Sequence, residues 1–321
     1  TAVTDAGDFT ADHGQGSYAA LGDSFSVLAS IPERLSGRLV VTANIPGAAL
    51  DAAVERRLST GAPVGDAGAT RCGWIKLFAD GALGSRTAAL FEPYTCGDSS
   101  VDRGLMTLSA ERLDDVIASG RRLGLGIAVH AIGDLANAAV LDAFERRGIA
   151  GGVVRDRVEH AQLTRAADRA RMAALDLVAS MQPVHCPSDA DVIERCWAGR
   201  EANAYAWRSL TDAGVALAFG SDAPVEPVNP WLGMHAAVNR RRPGESDGWH
   251  LGEAISFPLA LRAYTRGPAH ALGRKDEGHL GVGARADVAI LDRPLDALLA
   301  GGDDIIDVRA ELTLLDGVEV R

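Results

Sequence analysis

Lysine is nearly absent from this chain of 321 residues, which has only Lys76 and Lys275 among its 32 basic residues. Lys76 nevertheless lies within an apolar stretch, residues 74–81, that has the pattern of a short buried strand ending in a polar turn. A buried lysine costs free energy unless it is paired, neutralised or used chemically. The stretch therefore indicates either a lysine that pairs or snorkels, or a position that needs an amine.

The chain also lacks long apolar runs and closely spaced cysteines. No run approaches the ~20 apolar residues of a membrane helix, and no signal peptide is visible. Cys72, Cys96, Cys186 and Cys196 form no CxxC pair, which favours reduced thiols in a cytoplasmic protein over a disulfide framework. The net charge of −11 argues against a nucleic-acid or anionic-membrane partner. A small molecule is the expected partner, and a homodimer is a possible assembly.

Apolar segments alternate with amphipathic ones along most of the chain. Strands are predicted at residues 2–5, 38–44, 74–79, 126–131, 157–162, 177–182 and 216–221. Helices are predicted at residues 109–123, 134–147, 165–175 and 202–213. This alternation predicts an α/β fold with a parallel sheet, and the absence of a GxGxxG loop favours a (β/α)8 TIM-type barrel over a doubly wound sheet. Only seven barrel strands are found, so the first strand is expected to precede Thr1.

The character of the sequence changes after residue 272. A compact strand is predicted at residues 287–292, and Asp316-Gly317 is a hairpin turn signal between two further strands. We therefore predict two domains, a barrel at residues 1–272 that is incomplete at its N-terminus and a β-sandwich portion at residues 273–321. Residues 240–248 are expected to form a polar surface excursion.

Polar residues recur at the predicted strand ends. Lys76, His130, His160 and Asp222 each lie on or just after a different strand. In a parallel barrel such positions meet at one face, and imidazole and carboxylate groups are suited to Zn, Mn, Fe or Co. A single histidine of this kind is more often a hydrogen-bonded core residue, and Asp222 alone could cap a helix. Together, the four residues predict a metal site.

Six stretches carry a resemblance to a known family: residues 3–7, 76–81, 130–134, 157–162, 181–185 and 220–226. In this order the chain resembles the amidohydrolase superfamily of metal-dependent hydrolases, in the family-3 branch that includes N-substituted formamide deformylases. Residues 281–292 resemble the strand with which these proteins return to a small β-sandwich beside the barrel.

The resemblance implies a site and a reaction. Lys76 would carry a carbamate that bridges two metal ions, His130 and His160 would bind the second ion, and Asp222 would contact the first and act as general base. One or two divalent ions are implied, with zinc as the first expectation and Mn, Fe or Co as alternatives. The implied function is hydrolysis of a non-peptide C–N bond in an amide, N-formyl or N-acyl amine, by hydroxide that the metal activates.

One departure from the family pattern leaves alternatives open. The family's first strand carries a His-x-His pair, which is absent here, and His13 in a glycine-rich loop is a poor substitute. We therefore expect an incomplete barrel with a poor or empty metal site, caused by truncation rather than by loss. The alternatives are a hydrolase of cyclic amides, amino-heterocycles or esters in the same superfamily, and a non-catalytic scaffold that lost its metal.

Further candidates lie on the predicted loops at the same face. Arg86 is a candidate for binding a substrate carboxylate or carbonyl, although an exposed arginine is often only solvated. His185 is a candidate oxyanion or substrate donor, Gln182 and Glu226 are candidates for lining the substrate site, and Asp80 is expected to orient a ligand.

Overall fold

The computed structural model describes residues 2–4, 40–64, 70–97, 101–149 and 154–320, so His13 lies outside the described residues. The strands are β1 Ala2–Thr4, β2 Val40–Pro46, β3 Pro63–Val64, β4 Thr70–Phe78, β5 Ile127–Ala131, β6 Arg157–His160, β7 Val178–Met181, β8 Ala216–Phe219, β9 Val288–Leu291, β10 Ala310–Leu315 and β11 Val318–Val320. The helices are α1 Leu50–Glu55, α2 Ala110–Leu123, α3 Asp134–Arg147, α4 Ala166–Ala174, α5 His185–Cys196, α6 Trp207–Asp212, α7 Pro230–Asn239 and α8 Phe257–Ala271. Among these helices, none has the length and hydropathy to cross a membrane.

Seven strands form one parallel sheet that follows the chain in the order β1-β2-β4-β5-β6-β7-β8, and the short β3 pairs antiparallel with β4. Phe78 of β4 lies opposite His130 of β5. Ala131, the next residue of β5, lies opposite His160 of β6. Because parallel strands all end at the same edge, the polar residues that end or follow them share one face of the sheet. The α/β class and the seven predicted strands are confirmed.

Helix α2 shows how the sequence sets a helix and its buried face. Ser109 caps the helix, since its side-chain oxygen accepts a backbone N–H from the first turn. Gly124 ends the helix with a φ of 69°, a conformation that glycine adopts without a steric penalty. The buried side chains include Leu113, Val116 and Ile117, whose spacing places them on one face of the helix.

The inside of the sheet has its own small apolar cluster, separate from the main core between the sheet and the helices. Trp74 is fully buried there with Ala128, Val178 and Ala271, which ends helix α8. The Arg157 guanidinium lies 3.8 Å from the Trp74 ring centroid. This packing fills the sheet interior on the side away from the carboxyl ends of the strands.

The last part of the chain forms a three-stranded antiparallel sheet in the order β11-β10-β9. Asp316 and Gly317 join β10 to β11 with positive φ values of 53° and 78°, as the turn signal predicted. The predicted β appendage is confirmed as an element of structure, and the domain boundary at residue 272 stays a prediction.

A disulfide joins Cys96 and Cys196, whose Cα atoms lie 4.5 Å apart, so the prediction of four reduced thiols is wrong for this pair. Cys72 and Cys186 are free and buried. The two paired cysteines are 100 residues apart in sequence. Because they meet only where the loop after β4 packs against the end of α5, their spacing in the sequence carried no signal of the bond.

Helix α5 corrects the predicted helix boundaries in this part of the chain. The sequence predicted a helix at residues 202–213, whereas the structure has α5 at His185–Cys196 and only the short α6 at Trp207–Asp212. Pro187 lies in the first turn of α5. A proline is tolerated there because backbone N–H groups of the first turn have no partner within the helix.

Arg240 corrects the prediction that residues 240–248 are a polar surface excursion. The side chain is fully buried, and its guanidinium donates to the carbonyl oxygens of Trp249 and Tyr205 at 2.7 and 2.8 Å. It also stacks on the ring of Trp207. Arg240 therefore joins the loop to the core, while most of the residues that follow it are exposed.

Candidate metal centre

Three side chains from three different elements converge at the carboxyl edge of the sheet. His160 ends β6, His185 begins α5 and Asp222 follows β8. One donor atom from each of these residues lies within 4.8 Å of the others. The Nε2 atom of His185 lies 3.6 Å from Oδ2 of Asp222. Two imidazoles and a carboxylate form a donor set that suits zinc and other first-row divalent ions.

Two members of this cluster have left-handed backbone conformations. The φ angle is 69° at His160 and 56° at Asp222. For residues other than glycine this conformation costs on the order of 1–3 kcal/mol, and it persists only where the surrounding structure holds it. Such strain is concentrated at functional sites, so the backbone agrees with the side chains in marking this edge of the sheet.

The tautomer of His160 is set by Gln182, which follows β7. The Nδ1 atom of His160 donates to Oε1 of Gln182 at 2.8 Å, and this leaves the lone pair of Nε2 free. Burial of the ring, followed by the charge of neighbouring basic groups, lowers the pKa of His160 well below its ordinary value. The imidazole is therefore neutral at pH 7, as a metal ligand must be.

His130 lies beside His160, with ring centroids 4.6 Å apart. Its Nε2 atom donates to the carbonyl oxygen of Gly81 at 3.0 Å, so Nδ1 keeps its lone pair. Burial lowers the pKa of His130 to about 4. His130 is thus a neutral imidazole next to the cluster, although it lies outside the group of three donors that are within 4.8 Å of one another.

Lys76 faces the same space from β4. It is buried, with 7% of its surface exposed, and its Nζ lies 5.0 Å from the ring centroid of Phe78. Its positive charge contributes to lowering the pKa values of His130, His160 and Asp222. The predicted burial of this lysine and its nearness to the other candidates are observed.

His185 lies between two carboxylates. Its Nδ1 atom is 3.4 Å from Oε1 of Glu226, and its Nε2 atom faces Asp222. Burial would lower the pKa of His185, but the hydrogen bond and charge of Asp222 outweigh it and raise that pKa. Burial would likewise raise the pKa of Asp222, but the His185 hydrogen bond and the nearby basic groups lower it to about 2. Asp222 is therefore ionised at neutral pH.

Asp189 is a residue of this region that sequence reasoning missed. It lies one turn after His185 on α5, and its Oδ2 atom accepts hydrogen bonds from Gln162 at 2.8 Å and from the Tyr205 hydroxyl at 2.6 Å. Gln162 follows the strand that carries His160, so Asp189 ties the strand end to the helix that begins at His185. The i, i+4 spacing of His185 and Asp189 was the available signal, but it is meaningful only once α5 is recognised as a helix.

Asp80 holds together the loops that follow β4 and β5. Its buried carboxylate accepts the backbone N–H groups of Ala89, Ile132 and Gly133 at 2.9, 3.0 and 2.8 Å. Burial raises its pKa to about 6 against the opposing effect of these hydrogen bonds. Its Oδ1 atom lies 3.7 Å from Nε2 of His130. Asp80 therefore lies where a residue that orients His130 is expected.

Arg86 lies on the exposed loop after β4, where its guanidinium packs against Gly97. Within the described residues, no hydrogen bond or ion pair joins Arg86 to the cluster. The structure therefore brings together His160, Asp222, His185 and Glu226, with Lys76, His130 and Gln182 beside them, and leaves Arg86 apart. The proposed roles of these residues in binding substrate stay predictions.

Comparison with known proteins identifies the family and the fold class. Residues 28–321 match the model of the amidohydrolase family. The chain belongs to this family. An uncharacterized metal-dependent hydrolase from Pyrococcus furiosus has a similar structure, with a TM-score of 0.70 and 34% sequence identity over 82% of this chain and 52% of that chain. The predicted resemblance and the TIM-barrel fold class are thereby confirmed.

Curated relatives also match the chain in sequence. YtcJ of Bacillus subtilis (strain 168), a protein named as an amidohydrolase, is 39% identical over 223 residues, which are 68% of this chain and 42% of that protein. An N-substituted formamide deformylase of Arthrobacter pascens is 32% identical over 222 residues, 65% of this chain and 39% of that protein. The matched regions thus span about two fifths of the length of these relatives.

Proposed function

We propose that this chain acts in the hydrolysis of a non-peptide C–N bond of a small amide, N-formyl amine or N-acyl amine. The observation that carries the proposal is the convergence of His160, His185 and Asp222 at the carboxyl edge of a parallel sheet. Membership of the amidohydrolase family supports a hydrolase. The relative named as an N-substituted formamide deformylase supports the choice of bond.

The donor chemistry of the cluster fits a divalent cation. His160 would bind it through Nε2, His185 through Nε2 and Asp222 through a carboxylate oxygen, and zinc is the first choice for such donors. When bound, such an ion polarises a carbonyl group and lowers the pKa of a water molecule. We further propose that His130 and Lys76, which lie beside the cluster, extend the site toward a second ion.

For His185 we propose a role other than the oxyanion or substrate donor that its sequence context predicted. As an oxyanion donor it would need a proton on the nitrogen that faces the substrate. Its Nε2 atom faces Asp222 instead, and its Nδ1–H points toward Glu226. We therefore assign Nε2 to the cation and give Glu226 the role of orienting the ring, because ligand imidazoles commonly donate their other N–H to a carboxylate.

Asp222 and Lys76 would supply the remaining chemistry of the chain. Asp222 is ionised, so it can accept the proton of the attacking water and deliver it to the leaving nitrogen. For Lys76 we propose a carbamate, in which the neutral amine adds to CO2, forms an N–C bond and releases one proton. The resulting anion would relieve the cost of keeping a cationic lysine buried beside a metal ion.

Metal content tests the proposal directly. The chain, purified without chelator, is expected to contain a divalent ion by elemental analysis, and Asp222→Asn is expected to weaken its retention about tenfold or more. Asp247→Asn, on an exposed loop, is the matched control and should keep the parent's content. The parent should also release amine from a panel of formamides and N-acyl amines, and Asp222→Asn should not. A parent without metal, or an Asp222→Asn variant with unchanged content, would overturn the proposal.

A further inference from the structure

A cavity of about 780 Å³ lies at the opposite edge of the sheet from the candidate metal centre. It is bounded by helix α8, by the turn that leads from α6 into β8, and by Arg155 just before β6. Residues at the amino ends of parallel strands lie on the opposite edge from those at the carboxyl ends, so this cavity and the metal centre are separate. Its volume lies within the range of roughly 300–1,000 Å³ that is usual for small-molecule sites.

The floor of the cavity is apolar. Val215 and Leu217 contribute from β8 and the turn before it, and Leu259 and Ala263 contribute from α8. Such a floor can bury the hydrocarbon part of a ligand, at roughly 25 cal/mol for each Å² of apolar surface removed from water.

Basic side chains surround this floor. Arg262, Arg266 and His270 are spaced four residues apart on α8, and that spacing places them along one face of the helix. The remaining basic residues of the lining are Arg155, Arg274 and Lys275. This concentration of positive charge is unusual in a chain whose net charge is −11.

Only part of this charge is neutralised by the protein. Arg155 pairs with Asp176, and Arg274 pairs with Glu277. Neither Arg262 nor Arg266 contacts a carboxylate within the described residues, and both are exposed.

The excess of positive charge affects the pKa of His270. Partial burial, followed by the charges of Arg155, Arg262 and Arg266, lowers the pKa of His270 against the opposing effect of Asp176. The groups that face the cavity thus carry a net positive charge even with His270 neutral.

We propose that this cavity binds a small molecule in which one anionic head, a carboxylate or a phosphate, is joined to an apolar body. Two guanidinium groups one helical turn apart can each form paired hydrogen bonds with such a head. The apolar floor takes the body. A head without a body would leave the floor exposed to water, and a cationic head would be repelled. The site is remote from the candidate metal centre, so the inference does not depend on the proposed hydrolysis.

Isothermal titration calorimetry with four probes tests the inference: octyl phosphate, octanoate, inorganic phosphate and octylammonium. We expect saturable binding of octyl phosphate, octanoate or both, with inorganic phosphate about tenfold or more weaker and octylammonium unbound. Arg266→Gln and Arg262→Gln should each weaken the bound probe about tenfold, because each removes hydrogen bonds to a charged group. Arg122→Gln, an exposed arginine of α2, is the matched control and should bind as the parent does.

Three outcomes would overturn the inference. The first is the absence of saturable binding by either octyl anion. The second is equal binding by Arg122→Gln and by both cavity variants, with circular dichroism confirming that all are folded. The third is inorganic phosphate or octylammonium binding as tightly as the octyl anions. A difference between octyl phosphate and octanoate would identify the preferred head. Failure to find metal in the chain would leave these results unchanged, so the two proposals are tested separately.

Discussion

At the scale of the residue, the orientation of one imidazole depends on a neutral amide. The Nδ1–H of His160 donates to Oε1 of Gln182, with 2.8 Å between Nδ1 and Oε1. This hydrogen bond selects the tautomer whose Nε2 lone pair is available to a cation. A carboxylate at the same place would do this more strongly, while an apolar side chain would let the ring rotate or change tautomer. Sequence reasoning gave Gln182 a role toward substrate, and this contact provides another physical reason for the residue.

Gln182→Leu is expected to weaken zinc binding roughly 10–100-fold, because ligand residues lose affinity of that order when their outer partner is removed. Gln182→Glu keeps an acceptor at the same position and should retain most of the affinity. Competition with a chromogenic chelator measures both variants against the parent. Equal affinity in the parent and in Gln182→Leu would show that the contact does not orient His160.

At the scale of the element, helix α5 connects the candidate metal centre to a cross-link. His185 begins the helix, and Cys196 ends it in a disulfide with Cys96. Asp189, one turn after His185, ties the helix to Gln162 and Tyr205. The loop that carries Cys96 is held to the same helix end by hydrogen bonds, such as the one from Thr95 N–H to the Cys196 carbonyl at 3.0 Å. The disulfide therefore reinforces a contact that already exists.

Replacing both cysteines by serine, Cys96→Ser with Cys196→Ser, is expected to lower the free energy of unfolding by about 2–4 kcal/mol. The physical reason is that the cross-link restricts the unfolded chain over a long loop. Urea denaturation of the parent, with and without reductant, measures the effect. The reduced parent should match the double variant, and the variant itself should not respond to reductant. A parent whose stability is independent of reductant would contradict this expectation.

At the scale of the whole molecule, Asp303 is one of the residues that hold the segment near the C-terminus against the barrel. Asp303 accepts hydrogen bonds from His235 of α7 at 2.8 Å, from Arg241 at 2.7 Å and from the Gly244 backbone at 2.9 Å. The His235 hydrogen bond, then the Gly244 hydrogen bond and Arg241, lower the pKa of Asp303 to about 2. The ionised carboxylate is thus stabilised more in the folded chain than in the unfolded one.

This difference gives a defined pH dependence. The stabilisation by Asp303 is fully present above its unfolded pKa of about 4 and is lost as the pH falls through about 2. Asp303→Asn should therefore lower the thermal midpoint at pH 5 and above, and the difference from the parent should shrink as the pH falls below about 4. Asp304→Asn, the neighbouring exposed residue, is the control. A difference between parent and variant that is independent of pH would contradict this account.

Much of the architecture follows from local patterns in the sequence. Apolar segments of strand length alternate with amphipathic helices, and parallel strands necessarily bring their carboxyl ends to one edge. The positions of Lys76, His130, His160 and Asp222 near that edge could therefore be predicted without coordinates. The α2 helix was predicted from its amphipathic pattern and the last hairpin from its turn residues, and both of these signals are local.

What the sequence by itself determined about this protein is the order of its elements and the four polar positions near the strand ends. The tertiary structure alone decided that His185 completes a cluster with His160 and Asp222, that Cys96 meets Cys196, and that basic residues of α8 surround an apolar cavity. In each of these cases the partners are far apart in the chain and belong to different elements. Their distance depends on how helices pack against the sheet, and no periodicity within a single segment encodes that packing.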